Sequence, residues 1–258
     1  MADFHILEAA AASDSRLSRF DARLKVIIVI VAITVNLFSL NILAPLLVAG
    51  ISLGSLTVSG IPLRLIRLRL GLPIVMAVII FLTQLFLYGE SVIGKIDVLG
   101  LTLSMYSEGL DRGLLIIGRV IGGAALVVWL SLSTPVEQLI GASRWFRIPK
   151  IIVEIMALMY RFIFVLLEEV IAIRQAQHLR LGYTRWRTGI KSISILAANL
   201  FFRAYDRADK VFEAMSLRGY SGNLVSVNKR VLSTIDYVWL SLALSLLIAI
   251  YFIGRVAL

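Results

Sequence analysis

The stretch that most limits what this chain can become is 113-GLLIIGRVIGGAALVVWLSL-132, twenty residues carrying a single charge. A helix rises about 1.5 Å per residue, so twenty apolar residues are what it takes to cross a hydrocarbon layer about 30 Å thick. Residues 72–88 and 237–253 form similar runs, and 26–40 and 43–58 make a shorter pair divided by Asn41 and Pro45. Each of that pair is short enough to tilt little or to be partly re-entrant. Across all 258 residues 59% are hydrophobic and 16% charged, a balance that would leave a soluble globule covered in apolar surface. The reading is an all-α membrane protein with about five spans.

Charge then sets the sidedness. Arg16, Arg19, Arg23 and Lys25 precede the first run and 64-RLIRLR-69 follows the second, whereas 89-GESVIGKIDVLGLTLSMYSEGLD-111 has four acids and one lysine. Residues 142–230 hold fifteen Lys and Arg and six acids. Placing the N-terminus, the 64–69 loop and 142–230 in the cytoplasm satisfies both the positive-inside rule and the parity of five spans, and leaves the C-terminus outside. The net charge of +10 therefore reflects retained cytoplasmic cations and implies no nucleic-acid partner. The N-terminal segment has no basic start followed by an apolar core and a small-residue cleavage site, so no cleavable signal is expected. With no cysteine, the chain has no disulfide and no thiolate metal site.

Three domains follow: membrane helices over 1–133, a cytoplasmic or interfacial module over 134–230, and a last membrane helix over 231–258. In 134-TPVEQLIGASRW-145, Thr134 suits an N-cap, Pro135 the first helical position and Glu137 the reciprocal capping contact. Pro149 ends the following turn and opens a second helix, expected to run to about residue 181. Glu154, Arg161, Glu168 and Gln175 recur on it every seven residues. Burying such a stripe in lipid would cost about 2.5–3.5 kcal/mol per charge, so this helix is expected along the interface or against other helices. The alternative is a sixth span, which would break the sidedness count. A third helix, expected over about 188–217, starts apolar and turns charged through 203-RAYDRADKVFE-213, with Asp206 and Lys210 one turn apart in the favourable order.

Both long helices end alike, in 174-RQAQHLRLGYTR-185 and in 209-DKVFEAMSLRGYSG-222. Glycine accepts the left-handed conformation that stops a helix, and arginine just inside the end faces its partly negative carbonyls. One such ending is an ordinary C-cap; two on consecutive amphipathic helices make two cationic prongs on one module. Guanidinium grips carboxylates bidentately and keeps its charge when partly buried, which suits Arg180 and Arg218 to acidic sites on a partner.

On these residues the chain resembles the transmembrane T component of energy-coupling factor (ECF) transporters, and most closely the Q subunit of the cobalt type. Ala176, Arg180 and Gly182, then Ala214, Arg218 and Gly219, match the family's two Ala-Arg-Gly signatures at the ends of its coupling helices. The first signature departs from the pattern, because Leu181 separates arginine from glycine. The stretches 133-STPVEQLIGASRWFRIPKIIVEI-155 and 159-MYRFIFVLLEEVIAIRQAQ-177 resemble the first and second coupling helices, and the likeness covers about residues 16–255. The resemblance implies a non-catalytic subunit in the plasma membrane of a prokaryote. Its coupling helices would insert into two cytoplasmic ABC-type ATPases that hold ATP and Mg, while its membrane face would hold a separate substrate-binding S subunit, of the cobalt type by the branch it resembles. Glu168, Glu169, Gln177, His178 and Tyr220, beside the signatures, and Arg119 in the fourth run are assigned to coupling or packing.

Other constellations are weaker. No G-x-x-x-x-G-K-[ST] phosphate loop is present, so ATP hydrolysis by that device belongs to another chain. Only His5 and His178 offer imidazole, and His178 falls within the first ending, so no metal site is expected here. Gly50 and Gly54, Gly109 and Gly113, and Gly118 and Gly122 form small-xxx-small pairs suited either to internal packing or to a partner helix. Arg119 lies within the fourth run, where it either snorkels outward or pairs with an acid such as Asp111 or one on a partner. Two rival readings remain: the permease of an ordinary ATP-driven importer, and a membrane-embedded lipid-modifying enzyme using Asp206 and Asp209 as metal ligands.

Overall fold

A computed structural model describes residues 20–89, 91–98, 101–222 and 234–256. Eight helices and one two-stranded hairpin are assigned among them: α1 (Ala22–Phe38), α2 (Leu43–Val58), α3 (Leu63–Leu87), β1 (Val92–Val98), β2 (Leu101–Tyr106), α4 (Ser107–Ser133), α5 (Val136–Ser143), α6 (Lys150–Leu179), α7 (Trp186–Leu217) and α8 (Thr234–Val256). The chain divides into two compact units, Met1–Leu139 with Arg230–Leu258, and Ile140–Lys229.

The first unit is built around α4. Its glycines remove side chains along two faces: a Cβ at Gly109 would come within 2.4 Å of the Gln84 carbonyl of α3, and one at Gly113 within 2.7 Å of the Phe81 ring. A Cβ at Gly122 would meet Asn36 of α1 at 2.5 Å and the Pro45 carbonyl of α2 at 3.0 Å. Such close approach is how helices associate where lipid removes the hydrophobic incentive to do so. Gly109, Gly113, Gly118 and Gly122 thus serve internal packing, whereas Gly50 and Gly54 meet nothing within 4 Å. Val29 and Ala32, Ala44 and Val48, Leu126, and Leu247 and Ile250 join α1, α2, α4 and α8 in one apolar cluster. A second, of Leu56, Ile61, Ile66, Leu70, Val128 and Leu132, ties α2 and α3 to α4. The Trp129 indole N–H donates to Ser55 Oγ at 2.7 Å, which satisfies the indole inside the bundle.

Among the described residues three helices are long and apolar enough to cross a membrane: Leu63–Leu87, Ser107–Ser133 and Asp236–Arg255. The all-α membrane class holds, with corrected boundaries. α3 begins at Leu63 and takes in Arg64, Arg67 and Arg69, which the sequence suggested as a loop, and the Arg69 guanidinium donates to Ser131 Oγ of α4. α1 and α2, at 17 and 16 residues, are each about 25 Å long. α6, although 30 residues long, is not among these three, in keeping with the charged residues along it. The hairpin was not anticipated: β1 and β2 pair antiparallel from Val98 opposite Leu101 to Val92 opposite Tyr106, with a register shift between Val92 and Gly94.

The second unit has almost no core. Of its described residues, only Ala142 and Val153 are buried, and α7 buries none. Two helices of 30 and 32 residues therefore owe their arrangement to specific polar contacts rather than to packed apolar area.

Candidate functional site

The two repeated endings share one backbone geometry. Arg180 is the C-cap of α6 at φ −89°, ψ 16°, and Arg218 the C-cap of α7 at φ −89°, ψ 12°. The following residue is left-handed in each case, Leu181 at φ 56° and Gly219 at φ 79°. Behind Arg180, the amide of Leu181 donates to the His178 carbonyl at 3.0 Å and that of Gly182 to the Gln177 carbonyl at 2.9 Å. Behind Arg218, Gly219 donates to Ser216 at 3.0 Å and Tyr220 to Met215 at 3.0 Å. These are matching Schellman-type caps, each satisfying carbonyls that the helix itself cannot.

The match corrects the first signature. In backbone terms Leu181 is the counterpart of Gly219, and Gly182 is the counterpart of Tyr220. Leu181 is therefore no insertion, and glycine at 182 answers a different need. A Cβ there would lie 2.7 Å from Ser192 Oγ and 2.9 Å from the Gln177 carbonyl. Gly182 is squeezed because the chain folds back on itself. Ser192 Oγ donates to the Gly182 carbonyl at 2.9 Å, Gln177 Nε2 donates to the Ser192 carbonyl at 2.9 Å, and the Tyr183 hydroxyl donates to Gln177 Oε1 at 2.6 Å. Gln177 thus locks the elbow between α6 and α7.

Farther along the pair, Glu169 of α6 lies 3.9 Å from an Arg203 guanidinium nitrogen and 3.6 Å from one of Arg207. Residue 177 beside 192, and 169 beside 203 and 207, make α6 and α7 an antiparallel hairpin. Arg180 and Arg218 consequently stand at opposite ends of α7, whose 32 residues span about 48 Å. Both arginines are exposed, and neither guanidinium has a partner among the described residues. Ala176 and Ala214 are exposed one turn before them; Glu168 and His178 are exposed, and Tyr220 is half-buried.

No ion pair joins Arg119 to Asp111 among the described residues; its guanidinium donates to the Ser39 carbonyl at 2.7 Å, at the C-terminal end of α1, and its own carbonyl accepts from Asn36 Nδ2 at 2.9 Å. A cation there offsets the negative end of α1. An open cavity of about 650 Å³ beside it is lined by Asp111, Arg112 and Arg119 among others, but Arg112 is already engaged, stacked over the Tyr88 ring at 4.3 Å and donating to its hydroxyl. Asp206, Asp209 and Lys210 are exposed, and no ion pair joins Asp206 to Lys210 among the described residues. Among those residues no three His, Asp or Glu side chains gather as a metal site. His5, Arg16 and Arg19 lie outside the described residues.

Over residues 13–230 the chain matches the family described as CbiQ, cobalt transport protein. The chain belongs to that family. It is 31% identical over 221 residues to an uncharacterized protein of Methanocaldococcus jannaschii, covering 85% of this chain and 82% of that one. It is 30% identical to a putative fused cobalt transport protein CbiMQ of Methanocorpusculum labreanum, over 85% of this chain and 37% of that longer one. Against the energy-coupling factor transporter transmembrane protein EcfT of Streptococcus equi the identity is 28%, over 85% of each chain. CbiQ membership and three span-length helices make this chain a membrane component of a transporter.

Proposed function

We propose that the chain is the coupling subunit of an ECF-type importer for cobalt, carrying no catalytic centre or cofactor of its own. Arg180 and Arg218 each seat in one of two cytoplasmic ABC-type ATPases, which hold ATP and Mg. The first unit lies in a prokaryotic plasma membrane with its N-terminus inside, and five helices cross: α3, α4 and α8, with the shorter α1 and α2. It holds a separate substrate-binding subunit of the cobalt type. α6 and α7 lie under the bilayer as levers, and closure of the ATPases on ATP displaces both tips.

The observation that carries this reading is the pair of matching caps, each offering an exposed arginine, set at opposite ends of α7. A separation of about 48 Å is too great for one groove and suits two partners. Ala176 and Ala214, one turn before each arginine, leave room beside the helix for a groove wall, and Glu168, His178 and Tyr220 flank the contacts.

The test is copurification of the ATPases, together with cobalt uptake, for Arg180→Glu and Arg218→Glu. Loss of one member of a buried charged pair costs about 2–5 kcal/mol, so each variant is expected to lose most of its ATPase and its uptake. Full retention of both in both variants overturns the reading. Uptake of nickel or a vitamin in place of cobalt would change the cargo and leave the coupling intact.

A further inference from the structure

The first unit buries three charged residues among those described, Asp21, Lys25 and Asp236, and all three lie where the coupling module leaves the membrane helices or returns to them. Lys25, on the first turn of α1, is 2% exposed, and its ammonium donates to the Ser133 carbonyl at 2.7 Å. Ser133 is the last residue of α4 and is fully buried, as is Thr134 after it; their hydroxyls are 3.3 Å apart. The final carbonyls of a helix have no donor within it, and a cation there also opposes the negative end of the helix.

The return is held by the same short segment. Asp236, 7% exposed, stands in the first turn of α8. One turn later, the Trp239 ring meets Phe20 edge to face at 5.5 Å between centroids. Asp21 caps α1, accepting from the Arg23 amide at 2.9 Å, and its carbonyl accepts from the Lys25 amide at 3.3 Å. Six consecutive residues, 20–25, thus touch both the exit at 133 and the return at 239.

We propose that residues 20–25 are a clasp on the two roots of the coupling module, and that Lys25 is its positioning residue. An ammonium taken out of water is costly unless opposite charge is buried with it, and the other two charges buried among the described residues of this unit, Asp21 and Asp236, are both acids. An aliphatic side chain would fill the site without that cost, but it would give the end of α4 no direction. The ammonium fixes it. This rests on the coupling reading above: a lever moves a helical bundle only if its roots do not yield.

The deciding measurement is cobalt uptake per ATP hydrolysed, in vesicles holding the full chain with its ATPases and binding subunit. Lys25→Met is expected to keep both ATPases bound and hydrolysing while uptake per ATP falls about tenfold, within the usual range of site-to-site coupling. Unchanged uptake per ATP overturns the proposal. Should Lys25→Met fail to accumulate in the membrane, the charge exchange Lys25→Asp with Asp236→Lys decides, read as accumulation of the chain expressed alone. Recovery above either single substitution is expected, and no recovery overturns the clasp. That second arm needs no ATPase, whereas failure of the transporter reading shows as wild-type protein that binds none.

Discussion

Leu181 and Gly219 occupy the same left-handed position behind the two arginines, yet only one of them suits it. A side chain with a Cβ costs about 1–2 kcal/mol in that conformation, partly returned in the unfolded chain, where glycine is the more flexible. Leu181→Gly is therefore expected to stabilise the detergent-solubilised protein by about 1 kcal/mol, and Gly219→Leu to destabilise it by about 1–2 kcal/mol. Thermal unfolding of the two variants beside the wild type checks both signs. Gln177→Ala should cost about 1–3 kcal/mol, because it leaves the Ser192 carbonyl and the Tyr183 hydroxyl in the elbow without their partner; loss of amide protection confined to 176–192 is the expected signature in hydrogen exchange. At this scale the sequence displays an arginine four residues after an alanine in each ending, but not which residue behind each arginine is left-handed. Letters alone matched Gly182 to Gly219, whereas the backbone matches Leu181 to Gly219, since a leucine forced to positive φ carries no mark in the sequence. The contact between Arg119 and Ser39 was hidden for a related reason: its acceptor is a backbone carbonyl, which every residue has.

Among the elements, α4 and the α6–α7 hairpin are held by opposite means. α4 depends on backbone approach, so a single methyl group tells a packed glycine from an open one. Gly109→Ala drives a Cβ against the Gln84 and Tyr88 carbonyls and is expected to cost about 1–3 kcal/mol, as overpacking does. Gly50→Ala, with nothing within 4 Å, should be neutral or stabilising by up to about 1 kcal/mol through helix propensity. Unfolding of the two variants in one detergent separates the cases; equal costs would contradict the packing described. The long helices were legible, because apolar runs of spanning length and the Pro149 boundary leave few alternatives. Their edges were not: Arg64, Arg67 and Arg69 read as a loop by charge, although α3 continues through them. The β1–β2 hairpin is less legible, because the four acids of 89–111 dominate that stretch. Its signal was the alternation of Leu101, Leu103 and Met105 with Thr102 and Ser104.

For the whole molecule, the near absence of a core in the second unit fits the coupling role proposed for it. Two long helices with exposed apolar faces and exposed arginines are paired through the elbow and Glu169; on the proposed reading, the ATPases supply the rest of their rigidity. The chain has no cysteine, which makes single thiol probes clean. Leu179 and Leu217 immediately precede the two arginines, occupy equivalent positions in the two caps, and are 85% and 89% exposed. The most direct test of the central claim attaches a thiol-reactive photocrosslinker to Leu179→Cys, to Leu217→Cys and to the double variant in the assembled complex. Each single variant is expected to capture one ATPase chain, and the double variant one coupling chain joined to two ATPases. Capture of a single ATPase by the double variant, or of none, would contradict the account.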